Sequence, residues 1–252
     1  MLRPIILSIA GSDPCGGAGV QADARMIWAC GGRPATVIAT LTAQNSQRFV
    51  GSYPVSVDVL SAQLHAVMED LPVAAIKVGA LGNAENVRLV ANFCKEAHVP
   101  CVVDPVLNAT LGGALCEGDD VVQAYYEFAN EHVVITPNGD ELAQLNRHSR
   151  RGDRPVAQAL LHQGFGAILH TGGDGQELCV DTLYTRDSQE HFSSKRIQGD
   201  IHGTGCVFSS AIATYLGMNM PLRDAVEQAK QAVNHAMMYA VKIGHGRAQV
   251  EP

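Results

Sequence analysis

The sequence lacks the two glycine-rich signatures that most often hold nucleotides. No Gly-Lys-Ser or Gly-Lys-Thr occurs anywhere in the chain, and no G-x-G-x-x-G follows the first apolar segment. A phosphate-binding P-loop and the usual dinucleotide fingerprint are therefore excluded. The seven cysteines are scattered without C-x-x-C spacing. This spacing favours neither a zinc site nor a disulfide framework and suits a reducing cytoplasm.

Long apolar runs and excess positive charge are also missing. No apolar run reaches membrane-spanning length, and residues 1–3 lead directly into the first strand without a signal-peptide core. The formal net charge of −7 argues against general binding of nucleic acids or anionic membranes. We therefore expect a cytoplasmic protein whose partners are small molecules. Because no repeat or linker interrupts the 252 residues, we expect a single domain over residues 1–252.

Short apolar strands alternate with helical patterns along the chain. The first half alternates strand-like and amphipathic segments, and residues 177–185 and 190–197 look like an antiparallel pair. The remaining helices are expected at 56–71, 83–97 and 120–130, then from Gly203 and from Pro221. Such alternation predicts an α/β fold with a mostly parallel sheet between layers of helices. Residues 146–155, rich in arginine and polar residues, are the best candidate for a mobile loop.

The most informative segment is Gly-Asp-Ile-His-Gly-Thr-Gly-Cys at residues 199–206, which runs into an apolar helical pattern. The first N–H groups of a helix have no internal partner, and glycines let an anion approach them closely. Gly203, Thr204 and Gly205 are therefore predicted to form an anion cradle. A thiol at a helix N-terminus is expected to have a lowered pKa, which makes Cys206 the candidate base or nucleophile.

Polar residues at predicted strand ends form a second group of candidates. Asp104 ends one strand and faces the ligand side of a parallel sheet, unless it only caps the next segment. Asn138 and Glu141, spaced i and i+3, are expected on one helix face, where Glu141 is interpreted from its position alone as a charge at the helix N-terminus. Lys77 within a strand is interpreted mainly as the partner of a carboxylate such as Asp104, since a buried ammonium is seldom unpaired.

The segments of the chain resemble, in order, the hydroxymethylpyrimidine and phosphomethylpyrimidine kinases of thiamine biosynthesis, a branch of the ribokinase-like superfamily. The resemblance covers nearly the whole chain and rests on seven pieces: Ala10-Gly11-Ser12-Asp13 with Gly16 to Gly19; Gln21-Ala22-Asp23; Leu41-Thr42-Ala43-Gln44-Asn45; Ile76-Lys77-Val78-Gly79; Val103-Asp104-Pro105-Val106; Thr136-Pro137-Asn138 with Glu141; and His202-Gly203-Thr204-Gly205-Cys206.

The resemblance implies a three-layer ribokinase-like fold and transfer of phosphate from ATP, with Mg²⁺, to a pyrimidine alcohol or its monophosphate. It places Gly11, Asp23 and Gln44 around the acceptor. The Gln44 amide has the donor and acceptor that an aminopyrimidine needs, and Asp23 can accept from a hydroxymethyl group. Magnesium would associate with Glu141, Asn138 and Asp104, and Cys206 would orient or deprotonate the acceptor hydroxyl. Relatives of this kind are commonly dimers, so we expect a homodimer.

The sequence departs from this family in three loops, the first of which has Pro14-Cys15 where paired serines are usual. Where the family commonly carries Lys-Ser-Gly, residues 108–112 contain no lysine, and Lys-Gly-Gly-His is replaced by Thr171-Gly172-Gly173-Asp174. Thr171 and Gly173 are then interpreted as a nucleotide loop of the sugar-kinase kind. The two lost charges leave two alternatives open: a pyridoxal or pyridoxine kinase, and a regulator that binds a pyrimidine or nucleotide on a kinase scaffold.

Overall fold

The computed structural model describes residues 2–107, 119–147, 156–172, 177–199 and 201–252. The strands are, in chain order, β1 (Ile5–Ser12), β2 (Arg33–Gln44), β3 (Phe49–Pro54), β4 (Val73–Val78), β5 (Cys101–Val103), β6 (Val133–Ile135), β7 (Ala167–His170), β8 (Leu178–Tyr184), β9 (Gln189–Lys195), β10 (Ile201–His202) and β11 (Ala248–Gln249). The helices are α1 (Gly19–Ala29), α2 (Val57–Asp70), α3 (Ala84–Glu96), α4 (Asp119–Ala124), α5 (Gly139–Arg147), α6 (Val156–Gln163), α7 (Thr204–Gly217) and α8 (Leu222–Met238). Within the described ranges, no helix is long and apolar enough to cross a membrane.

Nine strands form one sheet in the order β3-β2-β1-β4-β5-β6-β7-β8-β9. Six neighbouring strands pair in parallel: β2, β1, β4, β5, β6 and β7. Antiparallel strands complete the sheet at both edges, β3 on one side and β8 with β9 on the other. The carboxyl ends of the parallel strands therefore meet along one edge, where ligands bind in open α/β sheets. The two short strands β10 and β11 form a separate parallel pair, in which β10 lies immediately before α7 and β11 follows α8.

Helices cover both faces of the sheet because successive strand residues point to opposite sides. In β4, Ile76 and Val78 enter the apolar cluster formed with α2, α3 and α6, whereas Ala75 enters the cluster formed with α1, α7 and α8. Lys77, with the same parity as Ala75, is fully buried on the α1 and α7 side. The expected three-layer α/β arrangement with a mostly parallel sheet is confirmed.

Two elements differ from the sequence-based expectation. The helix predicted at 120–130 ends with α4 and continues as a 3₁₀ turn over Tyr125–Phe128. The rings of Tyr125 and Phe128 stack in this turn with their centroids 5.9 Å apart. The strand predicted over 34–41 continues to Gln44 and returns antiparallel as β3, which had not been predicted. Most of the expected mobile loop, residues 148–155, lies outside the described residues, and the single domain stays a prediction.

Candidate active site

A cavity of about 550 Å³ opens at the carboxyl edge of the parallel strands. It receives residues from the ends of β2, β5, β6 and β7 and from the start of α7. Its wall includes these candidates from the sequence: Gln44, Asp104, Asn138, Glu141, Thr171, Gly203, Thr204, Gly205 and Cys206. Residues separated by up to 162 positions in the chain therefore share one chamber, because parallel strands end on the same side.

The start of α7 forms the predicted anion cradle, which we define as residues 203–205. Gly203 caps the helix with a φ of 90°, and a β-carbon at this position would lie 2.0 Å from the Gly17 carbonyl oxygen. Only glycine satisfies both conditions. At Gly205, by contrast, a β-carbon would meet Asp104 Oδ2 at an ordinary 3.6 Å. The space above Gly205 is therefore open to a ligand, while Gly203 fixes the turn that exposes the helix N–H groups.

Cys206 lies half-buried in the cavity wall, in the first turn of α7. The prediction that the pKa of Cys206 is lowered is wrong. Burial raises the pKa of the Cys206 thiol to about 12; the Lys77 ammonium opposes this rise, and the carboxylates of Asp104 and Asp23 add to it. Burial of the sulfur disfavours the thiolate, which would also stand near two negative groups. The neutral thiol is therefore the favoured form of Cys206 at neutral pH.

Asp104 and Glu141 are two buried carboxylates in the same wall. Burial raises the pKa of Asp104 to about 6 against the opposing charge of Lys77, and Ser209 Oγ donates to its Oδ2 at 3.4 Å. Burial and the neighbouring Asp104 raise the pKa of Glu141 to about 8. Both shifts arise first from burial, which disfavours the charged form of each carboxyl group.

Asn138 and Glu141 also cap α5 reciprocally. The Asn138 N–H donates to Glu141 Oε2 at 3.0 Å, and the Glu141 N–H donates to Asn138 Oδ1 at 2.9 Å. This is a capping-box arrangement, in which one carboxylate oxygen is used by the helix. The capping and ligand-binding interpretations of Glu141 are therefore compatible, since the residue also lies in the cavity wall.

The donor set fits a hydrated magnesium ion better than a protein-enclosed metal. Among the described residues, no group of three or more His, Cys, Asp and Glu side chains is placed to hold a metal. Asp104 and Glu141 nevertheless supply two oxygen donors whose raised pKa values would be relieved by a cation. Mg²⁺ commonly takes one or two carboxylates and completes its shell with water and phosphate oxygens.

Gln44 reaches the cavity from the last position of β2. Its Nε2 donates to Thr42 Oγ1 at 2.9 Å, and Thr42 Oγ1 donates to the Ser12 carbonyl oxygen at 2.9 Å. These bonds hold the amide beside the end of β1. Gly11, in contrast, is buried inside β1 and is not in the cavity wall; a β-carbon there would lie 3.0 Å from Thr40 Cγ2. Its contribution is close packing of strands.

Asp23 requires a correction, because its carboxylate is fully buried and is not in the cavity wall. Lys77 Nζ donates to its two oxygens at 2.9 and 2.8 Å, and the hydroxyls of Ser8 and Ser210 donate to it at 2.6 and 2.9 Å. Four hydrogen bonds from three protein side chains thus occupy the carboxylate oxygens of Asp23 that had been assigned to a hydroxymethyl group. The partner of Lys77 is accordingly Asp23, and not Asp104 as preferred from sequence.

The ion pair of Lys77 and Asp23 keeps its charge although it is buried. Burial alone would lower the pKa of Lys77, but the Asp23 carboxylate beside it raises the pKa overall. The pair joins β4 to α1, and Ser210 joins it to α7 one turn after Cys206. It therefore forms a polar floor below the first turns of α7.

Sequence reasoning gave no role to Asp13 in the loop between β1 and α1. Its Oδ1 accepts from the Cys15 N–H and its Oδ2 from the Ala18 N–H, both at 2.9 Å, and His202 Nε2 lies 3.7 Å from Oδ2. Burial would raise the pKa of Asp13, but His202 and these two N–H donors lower it overall. An aspartate next to a Gly-Gly loop was the available signal for this loop-organising role.

The predicted nucleotide loop is only partly described. Thr171 lies in the cavity wall, and its N–H donates to the Pro137 carbonyl oxygen at 3.0 Å, whereas Gly173 lies outside the described residues. Two further residues of this wall were missed from sequence: Asp181 in β8 and Lys230 in α8, which form a buried ion pair. Their contact joins elements 49 positions apart, so no local pattern reveals it.

Comparisons with known proteins agree on the type of chemistry. A family model described as phosphomethylpyrimidine kinase matches residues 13–251. A hydroxymethylpyrimidine/phosphomethylpyrimidine kinase of Rhizobium meliloti is 38% identical over 99% of this chain and 97% of its own length. Among solved structures, the ADP complex of Bacillus subtilis pyridoxal kinase has a TM-score of 0.86 at 27% identity, covering 99% of this chain and 97% of that one. Phosphomethylpyrimidine kinase of Clostridium difficile has a TM-score of 0.78 at 28% identity, covering 93% and 100%.

Proposed function

The chain belongs to the phosphomethylpyrimidine kinase family and is a phosphotransferase, and from this premise we propose the reaction. It moves the γ-phosphoryl group of ATP to 4-amino-5-hydroxymethyl-2-methylpyrimidine, to its monophosphate, or to both, in thiamine biosynthesis. The observation that carries the proposal is the shared cavity wall: an amide that can pair with an aminopyrimidine, Gln44, lies in the same chamber as Cys206 and the anion cradle.

The roles of the residues follow from what each can bind. The N–H groups at the start of α7 hold the γ-phosphoryl group, whose negative charge suits a helix N-terminus. Gln44 holds the pyrimidine ring so that its hydroxymethyl group points to that phosphorus. A bond forms from the hydroxymethyl oxygen to phosphorus as the bond to the β–γ bridging oxygen breaks, and ADP leaves. With the alcohol as acceptor, the hydroxyl proton passes to water as the new bond forms. With the monophosphate, an oxygen of its phosphate group makes the bond to phosphorus instead, and no hydroxyl proton is lost.

Cys206 is proposed to orient the acceptor hydroxyl by a hydrogen bond. A thiol with a pKa of about 12 is not a strong base at neutral pH. Phosphoryl transfer depends mainly on alignment and on charge stabilisation, so a positioning contact is a useful contribution.

Magnesium is proposed to associate with Asp104 and Glu141, with Asn138 beside them. When bound, the ion would offset negative charge on the β- and γ-phosphates. The protein itself orients the two carboxylates: Ser209 donates a hydrogen bond to Asp104, and the cap of α5 holds Glu141. We propose that these contacts keep both groups on the side of the cavity that receives the phosphates. Thr171 and Gly173 are proposed to contact the nucleotide, with the Asp181–Lys230 pair in the same wall.

The protein is further proposed to be a cytoplasmic homodimer. Support for an intersubunit surface comes from the β2–β3 edge, where Leu41, Val50 and Tyr53 are each at least half exposed. Large apolar side chains grouped on one edge commonly mark a protein contact. Light scattering across a concentration series would measure the assembly.

The deciding experiment is magnesium-dependent ATP turnover with the pyrimidine alcohol, its monophosphate, pyridoxal and a panel of sugars. We expect turnover with the alcohol or its monophosphate above all others. Equal or faster turnover of pyridoxal would favour the pyridoxal kinase alternative, for which the structural likeness to pyridoxal kinases is the supporting observation. Tight binding by calorimetry without any turnover would favour a regulator.

A further inference from the structure

Residues 244–250 contact the turn that follows Gln44. We call residues 45–48 the acceptor turn. The Gly246 N–H donates to Ser46 Oγ at 3.2 Å, and the Arg247 N–H donates to the Ser46 carbonyl oxygen at 3.1 Å. A β-carbon on Gly246 would lie 1.7 Å from that carbonyl oxygen. The two backbones are therefore packed at a distance that only glycine permits.

The same segment then reaches the strand that leads into the anion cradle. β11 pairs in parallel with β10, and the Val250 N–H donates to the His202 carbonyl oxygen at 3.3 Å. Gln249 is 3% exposed, and a β-carbon on Gly17 would lie 2.8 Å from both Gln249 Cδ and His202 Cδ2. Gln249 thus packs between the glycine loop after β1 and the residue that precedes Gly203.

None of residues 244–250, all of which are described, lies in the wall of the 550 Å³ cavity. The segment contacts the acceptor turn at one end and the cradle strand at the other, yet it is placed to touch neither ligand. A two-residue strand pair such as β10–β11 has little stability of its own. The position of β11 therefore depends on contacts made by the rest of residues 244–250, including the two hydrogen bonds to Ser46.

We propose that residues 244–250 form a positioning strap that fixes the acceptor turn relative to the anion cradle. The strap acts on the reaction through Ser46 and Gln249, which are positioning residues. This inference rests on the proposed function, because it assigns the acceptor to Gln44 and the phosphoryl group to the cradle. Misalignment of reacting groups by about 1 Å can cost on the order of 100-fold in rate, so a contact outside the cavity can control turnover.

The test compares Ser46→Ala and Gln249→Ala with Ser46→Thr, which retains the hydroxyl, and with Ile243→Ala, an exposed neighbour outside the strap. Steady-state kinetics give kcat and both KM values, and calorimetry gives the affinity of the pyrimidine alcohol and of a non-hydrolysable ATP analogue separately. We expect Gln249→Ala and Ser46→Ala to lower kcat by about 10- to 100-fold while each affinity changes by less than about 3-fold. Ser46→Thr should restore most of the rate, and Ile243→Ala should match the parent.

Amide hydrogen exchange provides a readout that does not need turnover. In the Gln249→Ala variant, the exchange rate should rise at residues 45–48 and at residues 201–205 together. In the Ile243→Ala variant, exchange in both regions should match the parent protein. Parental kcat in both folded strap variants, or exchange confined to the substituted end, would overturn the strap. If the parent protein does not turn over the pyrimidine, the proposed function is overturned. If exchange at the two regions still rises together in Gln249→Ala, the structural coupling by the strap is nevertheless supported.

Discussion

The anion cradle and the buried pair of Asp23 and Lys77 lie at the same end of the sheet but work in different ways. The cradle presents backbone N–H groups to the cavity and needs small residues, whereas the pair is fully buried and consists of two charges that neutralise each other. Helix α7 connects them, because its first turn carries Cys206 and its second turn carries Ser210. The first turns of α7, which carry the anion cradle, therefore rest on a buried charged pair that is not in the cavity wall.

The largest expected effect comes from splitting the buried pair. Lys77→Met leaves the Asp23 carboxylate without its counter-charge, and this should lower the free energy of unfolding by about 3–5 kcal/mol. Urea denaturation measures the loss. The double variant Lys77→Met, Asp23→Asn should recover part of the stability, since it removes both charges. If the two single changes simply add in the double variant, the pair is not a coupled unit.

The next effect separates the two glycines of the cradle. Gly203→Ala should destabilise the protein by about 2–4 kcal/mol, because it combines a left-handed conformation with a backbone overlap. Gly205→Ala is the matched control and should leave the stability nearly unchanged, since its β-carbon meets only ordinary contact. Gly205→Ala should instead weaken binding of an ATP analogue by crowding the anion. Equal stability losses in both variants would contradict the different roles of the two glycines.

Removal of the thiol tests the cavity side of the comparison. Cys206→Ala should keep the fold and the nucleotide affinity and lower kcat by about 10²-fold, as expected for loss of an aligning contact. A loss approaching 10⁴-fold would instead indicate a general base. Cys206→Asp, which supplies a carboxylate at this position, shows whether a stronger base can substitute.

The raised pKa of Cys206 gives a related pH dependence. The thiol is neutral below its pKa of about 12, so alkylation of Cys206 should be slow at pH 7–9 and should accelerate steadily toward high pH. Peptide mapping by mass spectrometry identifies the modified cysteine. Rapid alkylation at pH 7 that reaches a plateau below pH 9 would show that the thiolate is already stabilised.

The smallest expected effect concerns the acceptor. Gln44→Ala should weaken binding of the pyrimidine alcohol by about 5- to 150-fold, which corresponds to about 1–3 kcal/mol for a lost buried hydrogen bond, and should spare ATP. Calorimetry with each ligand measures both affinities. Unchanged pyrimidine affinity would remove Gln44 from the acceptor site.

Much of the fold was predictable because its signals are local. The alternation of strands and helices predicted the α/β class. The helical pattern over 56–71 predicted α2, which Ser56 caps, since its Oγ accepts from the Val59 N–H at 3.4 Å. β3 was missed because it has no strong apolar alternation. The resemblance to the kinase family was recognised from short ordered segments, and the family is confirmed.

The layers of the fold, the glycines that the α7 turn requires and the family of the enzyme were predictable from the sequence, because each signal lies in residues close together in the chain. The pairing of Asp23 with Lys77 across 54 positions, and the burial that raises the pKa of Cys206, became visible in the folded structure alone. Solvation and ion pairing depend on which distant groups fold against a side chain. The residue type alone therefore does not reveal whether a carboxylate or thiol faces a ligand or a buried cation.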